Sequence, residues 1–331
     1  MQQPEGYGDG TGCICLLIKM LYGLKQAGRE WNIELDTKLQ QRRYVCLRSD
    51  PCVYIWQVGK DFAIITIWVD DLLLFAMMVI LMEKMKTNIK SEWEVTDLGD
   101  LKKIVGIEIT MGEDSITISS SKYIESILLK KGLGLADWVT TPLDPNVPIM
   151  PNPKGNIGDH SNSYAWLLGE VQYIANAMCP DIQYTVNRLA SYTANPSLLH
   201  SMALKRILRY LSGTQSHGIH YTAHPQDSDF FRYSDAAFIN AEDSKSTSGY
   251  VFLAGNGAIT WCSKRQTIQA QSSMEAEYVA LLEAAREACW LQNLYSELGL
   301  LQEKNPTLIQ GNNEGSLAMA RNPNSTNDQN I

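Results

Sequence analysis

Apolar runs and helical stripes alternate along the 331-residue chain, and the clearest run is Phe62–Phe75, which reads FAIITIWVDDLLLF. The half before its two aspartates is rich in β-branched residues, and a second apolar run follows them. Two such runs around a polar pair are typical of two buried strands that meet in a tight hairpin. The pattern therefore predicts a hairpin whose tip carries the carboxylates of Asp70 and Asp71.

Further elements are predicted on both sides of this hairpin. In chain order they are a strand over Cys13–Leu21, a helix over Gly23–Gln40 with Trp31, Leu35 and Leu39 on one stripe, a hairpin of Tyr44–Gln57 with Phe62–Trp68 across Gly59, a helix over Ile80–Lys90, a strand pair that turns at Gly112, and a helix over Lys122–Lys131. Thr140–Asn162 is rich in proline and glycine, which predicts a loop or linker.

The next segment is predicted to be helical. Its helices cover Tyr164–Ala177 and Asp181–Tyr192, and a third begins at Asn195-Pro196, where a capping residue precedes a proline at the first helical position. The third helix has a core-facing stripe made of Leu204, Ile207, Leu208 and Leu211.

From Phe230 onward the pattern predicts three strands, a helix, a strand and a helix. Asn256-Gly257 is a strong hairpin signal between two of the strands. Ser272 and Glu275 form a capping box, and the helix that it opens ends at Gly299. The remaining predicted elements are a strand over Phe230–Asn240 that carries Asp235, the strands Gly249–Ala254 and Ala258–Ser263, a strand over Thr307–Gln310, and a helix over Glu314–Arg321.

Composition narrows the class of protein. A hydrophobic content of 45% and a charged content of 19% are those of a globular protein, and no apolar run is long enough to span a membrane. The seven cysteines include no CxxC pair, which favours reduced thiols inside a cell, so we expect a cytoplasmic or nuclear location. The net charge of −8 argues mildly against a nucleic-acid binder, since such proteins neutralise phosphates with lysine and arginine.

The Asp70-Asp71 pair alone has two interpretations. A solvated acidic turn is the simpler one for a bare Asp-Asp dipeptide. The other is a metal site, because hard divalent cations take carboxylate oxygens.

Several motifs favour the metal site. WVDD resembles the YVDD box of reverse transcriptases, with Trp68 in the place of the usual tyrosine. LYGLKQAGREW over Leu21–Trp31 resembles the LYGLKQAPRxW segment of copia-type retrotransposon polymerases, with Gly28 where proline is common. MQQPEGY over Met1–Tyr7 resembles the segment that follows the first catalytic aspartate of that family. The chain is therefore identified as similar to copia-type Pol polyproteins over almost its whole length.

The resemblance implies an α+β fold. Residues 1–139 would be a partial reverse transcriptase palm, residues 140–224 a proline-rich linker with a helical thumb and connection, and residues 225–331 an α/β ribonuclease H-like domain with a mixed sheet. The implied partners are an RNA template, an RNA–DNA hybrid and deoxynucleoside triphosphates, with no membrane, and the implied cofactor is Mg²⁺ in two-metal sites. Asp70 and Asp71 would be catalytic metal ligands of the polymerase.

The resemblance also implies contacts with substrate. Tyr22, Lys25 and Gln26 would contact the incoming nucleotide, although Lys25 alone could be a solvated helix residue. Lys205, Arg206 and Arg209 lie on the side of the third helix opposite its core stripe, where they would face template–primer phosphates. Their segment, KRILRYL, resembles the family's KRILRYLKGT. A solvated basic face is the alternative for these three.

The second catalytic site follows from SSMEAEYVAL and GNNEGSLAMARNP, which resemble the family's SSTEAEYVAL and (C/G)DNxxAIxLAxNP. Asp235 and Glu277 would be its catalytic metal ligands, and Glu275 would only cap the helix. Asn312 is a degenerate position because it stands where the family has an aspartate. Asp328 lies in no recognisable motif and is not assigned.

We expect the strand with the first polymerase aspartate, and the fingers, to precede Met1, and the ribonuclease H part to be C-terminally incomplete. The implied activities, RNA-directed DNA polymerase and ribonuclease H, are then expected to be absent or very weak in this chain. The alternatives are a catalytically dead nucleic-acid-binding remnant and a functionless product of a decayed element.

Overall fold

A computed structural model describes residues 2–8, 10–133, 138–153, 162–223, 231–239, 244–300 and 307–321. The chain divides into two compact units, of which the first comprises Met1–Leu98 with Trp290–Asn305 and the second Gly99–Cys289 with Pro306–Ile331. The three-way division expected from the sequence stays a prediction.

The first unit contains a four-stranded antiparallel sheet with two helices. Its elements are α1 (Ala27–Gln41), β1 (Val45–Cys46), β2 (Val53–Val58), β3 (Asp61–Trp68), β4 (Asp71–Ala76) and α2 (Val79–Glu92). The sheet order is β1-β2-β3-β4. The predicted stripe of α1 is confirmed, because Leu35 and Leu39 are buried in the core and Trp31 packs against it.

Two predictions for this unit are wrong. Cys13–Leu21 forms no strand, and Ile14, Leu16 and Ile18 in it are 81%, 92% and 97% exposed. A strand is stable only when a neighbour satisfies its backbone groups, and among the described residues no strand forms a β-ladder with this segment. The predicted hairpin of β3 and β4 is present, but its strands, which were predicted to be buried, are only partly buried. In β3 only alternate residues are buried, as in a sheet with one face on the core.

Four helices of the second unit form its main hydrophobic core. They are α3 (Ser121–Lys130), α4 (Asn162–Ala177), α5 (Gln183–Ala190) and α6 (Leu198–Thr214). The predicted core stripe of α6 is confirmed, because all four of its residues are at most 1% exposed. The predicted start of α6 at Asn195-Pro196 is wrong. Ser197 and His200 form a capping box instead, in which each side chain accepts from the backbone N–H of the other.

The second unit also contains a sheet that joins distant parts of the chain. Its strands are β5 (Lys103–Ile104), β6 (Ile107–Met111), β7 (Ser115–Ser119) and β8 (Ile219–Thr222), in the order β5-β6-β7-β8. Strand β8 was not predicted. It is four residues long and is recognisable only by its pairing with β7.

The remaining sheet has the order β11-β10-β9, with β9 (Phe231–Ala237), β10 (Thr247–Ala254) and β11 (Gly257–Arg265) antiparallel. The predicted hairpin is present, but its turn lies one residue earlier than the predicted Asn256-Gly257. Ala254 pairs with Gly257, so Gly255 and Asn256 form the turn, with the positive φ values of 55° and 66° that such turns require. Helices α7 (Ser273–Glu297) and α8 (Glu314–Arg321) follow.

The predicted strand Thr307–Gln310 is reduced to one residue, Gln310, which forms a parallel bridge to Tyr233 of β9. This bridge gives the sheet the mixed character expected of the ribonuclease H-like part. In the part of the chain that the structure describes, no helix has the length and apolarity that crossing a membrane requires.

Candidate functional sites

The first acidic site is the tip of the β3–β4 hairpin. Trp68 pairs with Asp71, so Val69 and Asp70 form the two-residue turn between the strands. Val69 has a φ of 54°, a left-handed value that is rare for a β-branched residue. The indole Nε1 of Trp31 donates to the Val69 carbonyl oxygen at 3.1 Å and holds the turn in this conformation.

Asp70 and Asp71 are both exposed at this tip. Two carboxylates on consecutive residues can bind one hard divalent cation. Among the residues that the structure describes, no group of three or more histidine, cysteine, aspartate or glutamate side chains could hold a metal ion. The hairpin therefore presents a two-carboxylate site.

The predicted nucleotide contacts lie just before α1. Tyr22 is 93% exposed, and Lys25 and Gln26 are exposed as well. Gln26 is the N-cap residue of α1, and its side chain makes no capping hydrogen bond. All three side chains are therefore open to solvent.

The second acidic site combines residues from three segments. Asp235 lies within β9, Glu277 in the second turn of α7, and Asn312 two residues before α8. The Asn312 amide Nδ2 donates to Oδ1 of Asp235 at 3.3 Å. The Glu277 carboxyl group lies close enough to the Asp235 carboxyl group for Asp235 to raise the pKa of Glu277. The fold thus brings together the three positions that the motifs single out.

Local sequence explains how β9 and α7 present these side chains. The alternation of β9 buries Ser234 and leaves Asp235 exposed on the opposite face. At the start of α7 the Glu275 backbone N–H donates to Ser272 Oγ at 3.1 Å, and the Glu275 carboxylate accepts from Gln271 N–H at 2.6 Å. Glu275 therefore caps the helix, and Glu277 is the carboxylate that reaches Asp235.

Asn312 is placed by the single-residue bridge next to it. The backbone of Gln310 accepts from Ser234 N–H at 2.9 Å and donates to the Arg232 carbonyl oxygen at 2.8 Å. Asn313 then caps α8, because its Oδ1 accepts from Ser316 N–H at 2.9 Å. These contacts hold Asn312 between β9 and α8.

The electrostatics of this site follow from burial and like charge. Burial raises the pKa of Glu277, and the negative charge of Asp235 raises it further. The nearby backbone N–H of Ala236 favours the ionised form of Glu277 and opposes that rise in pKa. Sequence reasoning missed this donor, because a backbone N–H leaves no residue-specific signal.

The three basic residues of α6 differ in exposure and in contacts. Lys205 is exposed. Arg206 donates to the Thr141 carbonyl oxygen at 3.2 Å and to Thr141 Oγ1 at 3.0 Å, and it forms an ion pair with Asp144 at 3.4 Å. Arg206 thus fastens the proline-rich loop to α6, while Arg209 is half-buried on the same helix. Asp328 lies outside the described residues.

Comparison with known proteins agrees with the motifs. Residues 1–145 match the family "Reverse transcriptase (RNA-dependent DNA polymerase)", and residues 233–295 match "Reverse transcriptase-like". Both families generally use divalent metals.

Among curated relatives, the Retrovirus-related Pol polyprotein from transposon RE1 of Arabidopsis thaliana is 34% identical over 98% of this chain and 22% of its own length. That from transposon TNT 1-94 of Nicotiana tabacum is 34% identical over 92% of this chain and 24% of its own length. Among solved structures, a foamy viral protease-reverse transcriptase in complex with dsDNA matches 92% of this chain and 54% of that chain, with 13% identity and a TM-score of 0.43.

The chain spans less than a quarter of the length of these curated relatives, at 22% and 24%. Its two family matches occur in the same order as the two acidic sites. The chain belongs to the copia-type retrotransposon Pol polyprotein family, with a reverse transcriptase region followed by a ribonuclease H-like region.

Proposed function

We propose that this chain provides the catalytic hairpin of an RNA-directed DNA polymerase and the active-site region of a ribonuclease H. Its partners would be an RNA template, an RNA–DNA hybrid and deoxynucleoside triphosphates. The observation that carries the proposal is the meeting of Asp235, Glu277 and Asn312, from three separate segments, at one point beside the sheet.

The oxygen atoms at this point are suited to Mg²⁺. Carboxylate and amide oxygens are the hard ligands that this ion takes. Asp235 and Glu277 repel each other when both are ionised, as the raised pKa of Glu277 indicates, and a divalent cation would relieve that repulsion. When bound, such ions lower the pKa of an attacking water and stabilise the charge that develops on the leaving 3′ oxygen.

The residues of the chain have different roles in this proposal. Asp235 and Glu277 would hold the ion, while the nearby backbone N–H of Ala236 would favour the ionised form of Glu277. Asn312 brings no charge, and its amide N–H occupies an Asp235 oxygen that could otherwise face a cation. We therefore expect cleavage of the RNA strand of a hybrid to be very weak.

Asn312→Asp tests this expectation in the full chain. It should strengthen Mn²⁺ binding and raise hybrid cleavage by about tenfold or more, a typical effect of altered metal-site residues. Asn313→Asp is the matched control, because it adds the same charge one residue away and keeps an oxygen that can cap α8. If the unaltered chain cleaves hybrid as fast as Asn312→Asp, the assigned role of Asn312 is wrong.

For the polymerase part we propose that Asp70 and Asp71 bind metal and that Tyr22, Lys25 and Gln26 contact the nucleotide. Two carboxylates, without a third among the described residues, supply less negative charge than two divalent ions need. We expect no primer extension by the purified chain in Mg²⁺ or Mn²⁺. Template-directed incorporation of a single nucleotide, abolished by Asp70→Asn, would contradict this expectation.

A second candidate function is nucleic-acid binding without turnover, and the neutral Asn312 favours it. Lys205 and Arg209 would then contact phosphates. Lys205→Ala should weaken hybrid binding and reduce the slope of log affinity against log salt by about one, the effect of one lost phosphate contact. Arg206→Ala is an informative comparison, because Arg206 is engaged with Thr141 and Asp144. Absence of salt-dependent binding would leave the functionless product as the remaining alternative.

A further inference from the structure

Gln266 is a buried glutamine that directly follows β11 and is only 5% exposed. Its backbone N–H donates to the Ser246 carbonyl oxygen at 2.8 Å, which extends the β10–β11 ladder by one pair. Burying a side-chain amide costs free energy unless the amide is hydrogen-bonded. The contacts of this amide therefore indicate what the residue does.

The amide nitrogen of Gln266 joins a strand to a helix. Nε2 donates to Ser248 Oγ at 2.9 Å and to the Ala276 carbonyl oxygen at 2.8 Å. Because a backbone carbonyl can only accept, the second bond fixes which end of the amide is nitrogen. Ser248 lies on β10 and Ala276 in the first turn of α7, so both N–H groups serve one connection.

Both ends of this connection adjoin the proposed metal ligands. Ala276 immediately precedes Glu277 in the helix. On the other side, Ser248 is paired with Ala236 in the β9–β10 register. The backbone N–H of Ala236 in turn lies close enough to the Glu277 carboxyl group to lower its pKa. The Gln266 amide thus closes a ring of contacts from the sheet to Glu277 and back.

We propose that Gln266 is a positioning residue, whose two amide N–H groups hold the first turns of α7 against β10 and thereby set the separation of Glu277 from Asp235. The inference rests on the proposed function of these two carboxylates as metal ligands. Metal ligands must be held within about 0.5 Å of a productive geometry, and a helix that shifts along the sheet exceeds that tolerance.

A purely stabilising role is the competing explanation, and Gln183 provides the matched control. Gln183 is also a buried glutamine, 9% exposed, whose Nε2 donates to Asn176 Oδ1 at 3.0 Å. It connects α5 to α4 rather than a strand to α7. Gln183→Ala therefore removes an amide of similar burial from the same unit without touching Ala276 or Ser248.

The experiment compares Gln266→Met, Gln266→Ala and Gln183→Ala in the full chain, with Mn²⁺ as the probe. Methionine keeps the buried volume and removes both donors, so the first variant folds even where alanine leaves a damaging cavity. Mn²⁺ affinity is measured by calorimetry. The binding that is lost in Asp235→Asn is the binding that belongs to this site. Hydrogen exchange of the first turn of α7 reports positioning without metal.

Gln266→Met is expected to weaken Mn²⁺ binding about tenfold, as loss of an orienting partner usually does, and to speed exchange in the first turn of α7. Gln183→Ala should lower the melting temperature and leave both readouts unchanged. In a Glu277→Gln background, the effect of Gln266→Met on affinity should disappear, since it acts through Glu277. Equal effects of Gln266→Met and Gln183→Ala on affinity and exchange would overturn the inference.

Failure of the proposed function gives a different result. If Asp235→Asn leaves Mn²⁺ binding unchanged, these carboxylates are not the ligands and the proposed function fails. The exchange comparison still decides on Gln266 in that case. Faster exchange confined to the first turn of α7 in Gln266→Met supports the positioning role, and unchanged exchange overturns it.

Discussion

The two acidic sites of this chain are built in different ways. Asp70 and Asp71 are neighbours in sequence and lie at the exposed tip of one hairpin, so a single strand ladder brings them together. Asp235, Glu277 and Asn312 come from a strand, a helix and a loop, and only the packing of these elements makes them meet. The first site is local, and the second depends on tertiary structure.

This difference has an energetic consequence. Exposed carboxylates keep most of their hydration, so the hairpin pair costs the fold little. Glu277 is half-buried beside Asp235, and both conditions raise its pKa, so ionising it costs folding free energy. The second site therefore trades stability for a fixed arrangement of ligands.

The largest expected effect is a loss of stability in the core of the first unit, which supports the hairpin that carries Asp70 and Asp71. Ile65 of β3 is 1% exposed and packs in the core of the first unit, whereas the half-buried Ile64 lies on the other face. We expect Ile65→Ala to cost about 2–5 kcal/mol of unfolding free energy, because it removes buried methyl groups and leaves a cavity. Hydrogen exchange of β3 amides in urea measures the loss. Ile64→Ala is the control, and equal costs at both positions would show that β3 does not bury one face.

The second acidic site should make the stability of the fold depend on pH. The folded-state pKa of Glu277 is raised, so the unfolded chain releases this proton first as pH rises, and stability falls from the ordinary glutamate pKa up through the raised one. Glu277→Gln should remove that loss, so the variant gains melting temperature over the unaltered chain at pH 7 and not at pH 3.

Glu275→Gln is the control for this experiment. Glutamine can still cap α7 through its side-chain oxygen. A gain at pH 7 as large as that of Glu277→Gln would place the electrostatic cost at the helix end instead of at the acidic site. Of these two variants, only Glu277→Gln should weaken Mn²⁺ binding.

The smallest expected effect concerns the hairpin tip. Asparagine tolerates the left-handed backbone better than valine, so Val69→Asn should stabilise the turn by up to about 1 kcal/mol. Trp31→Phe should loosen it by about 1 kcal/mol, because the indole bond to the Val69 carbonyl oxygen is lost. Local hydrogen exchange at the hairpin measures both. Slower exchange in Trp31→Phe than in the unaltered chain would contradict the holding role of the indole.

Much of the fold is predictable because its signals are local. The stripe of α1, the Asn256 turn and the Ser272 cap each depend on residues a few positions apart. The strand predicted over Cys13–Leu21 is absent, because an apolar alternating run also needs a neighbouring strand with which to pair. Strand β8 was not predicted, because its own sequence gives no strand signal and only its pairing with β7 makes it a strand.

For the candidate site, too, the sequence reveals local motifs but not long-range contacts. The motifs indicate Asp235, Glu277 and Asn312, but the sequence does not contain their contacts. It also does not reveal that Arg206 faces Thr141 and Asp144, since a basic helix residue looks the same whether it binds a loop or a phosphate. The role of Gln266 is similarly invisible, because it depends on contacts across the sheet.

The pairing of β7 with β8 affects the folding of the chain during synthesis as well as the stability of the finished fold. Ile118 pairs with Ile219, so the α-helices α3–α6 that the structure describes are synthesised between the two strands. At a synthesis rate of about 5–20 residues per second, the edge of β7 stays unpaired for roughly 5–20 seconds before β8 is made. An unpaired strand edge is a template for aggregation during that interval. Nascent chains of this protein should therefore be most vulnerable while α3–α6 emerge, and a chaperone that shields β7 would improve the yield of the second unit.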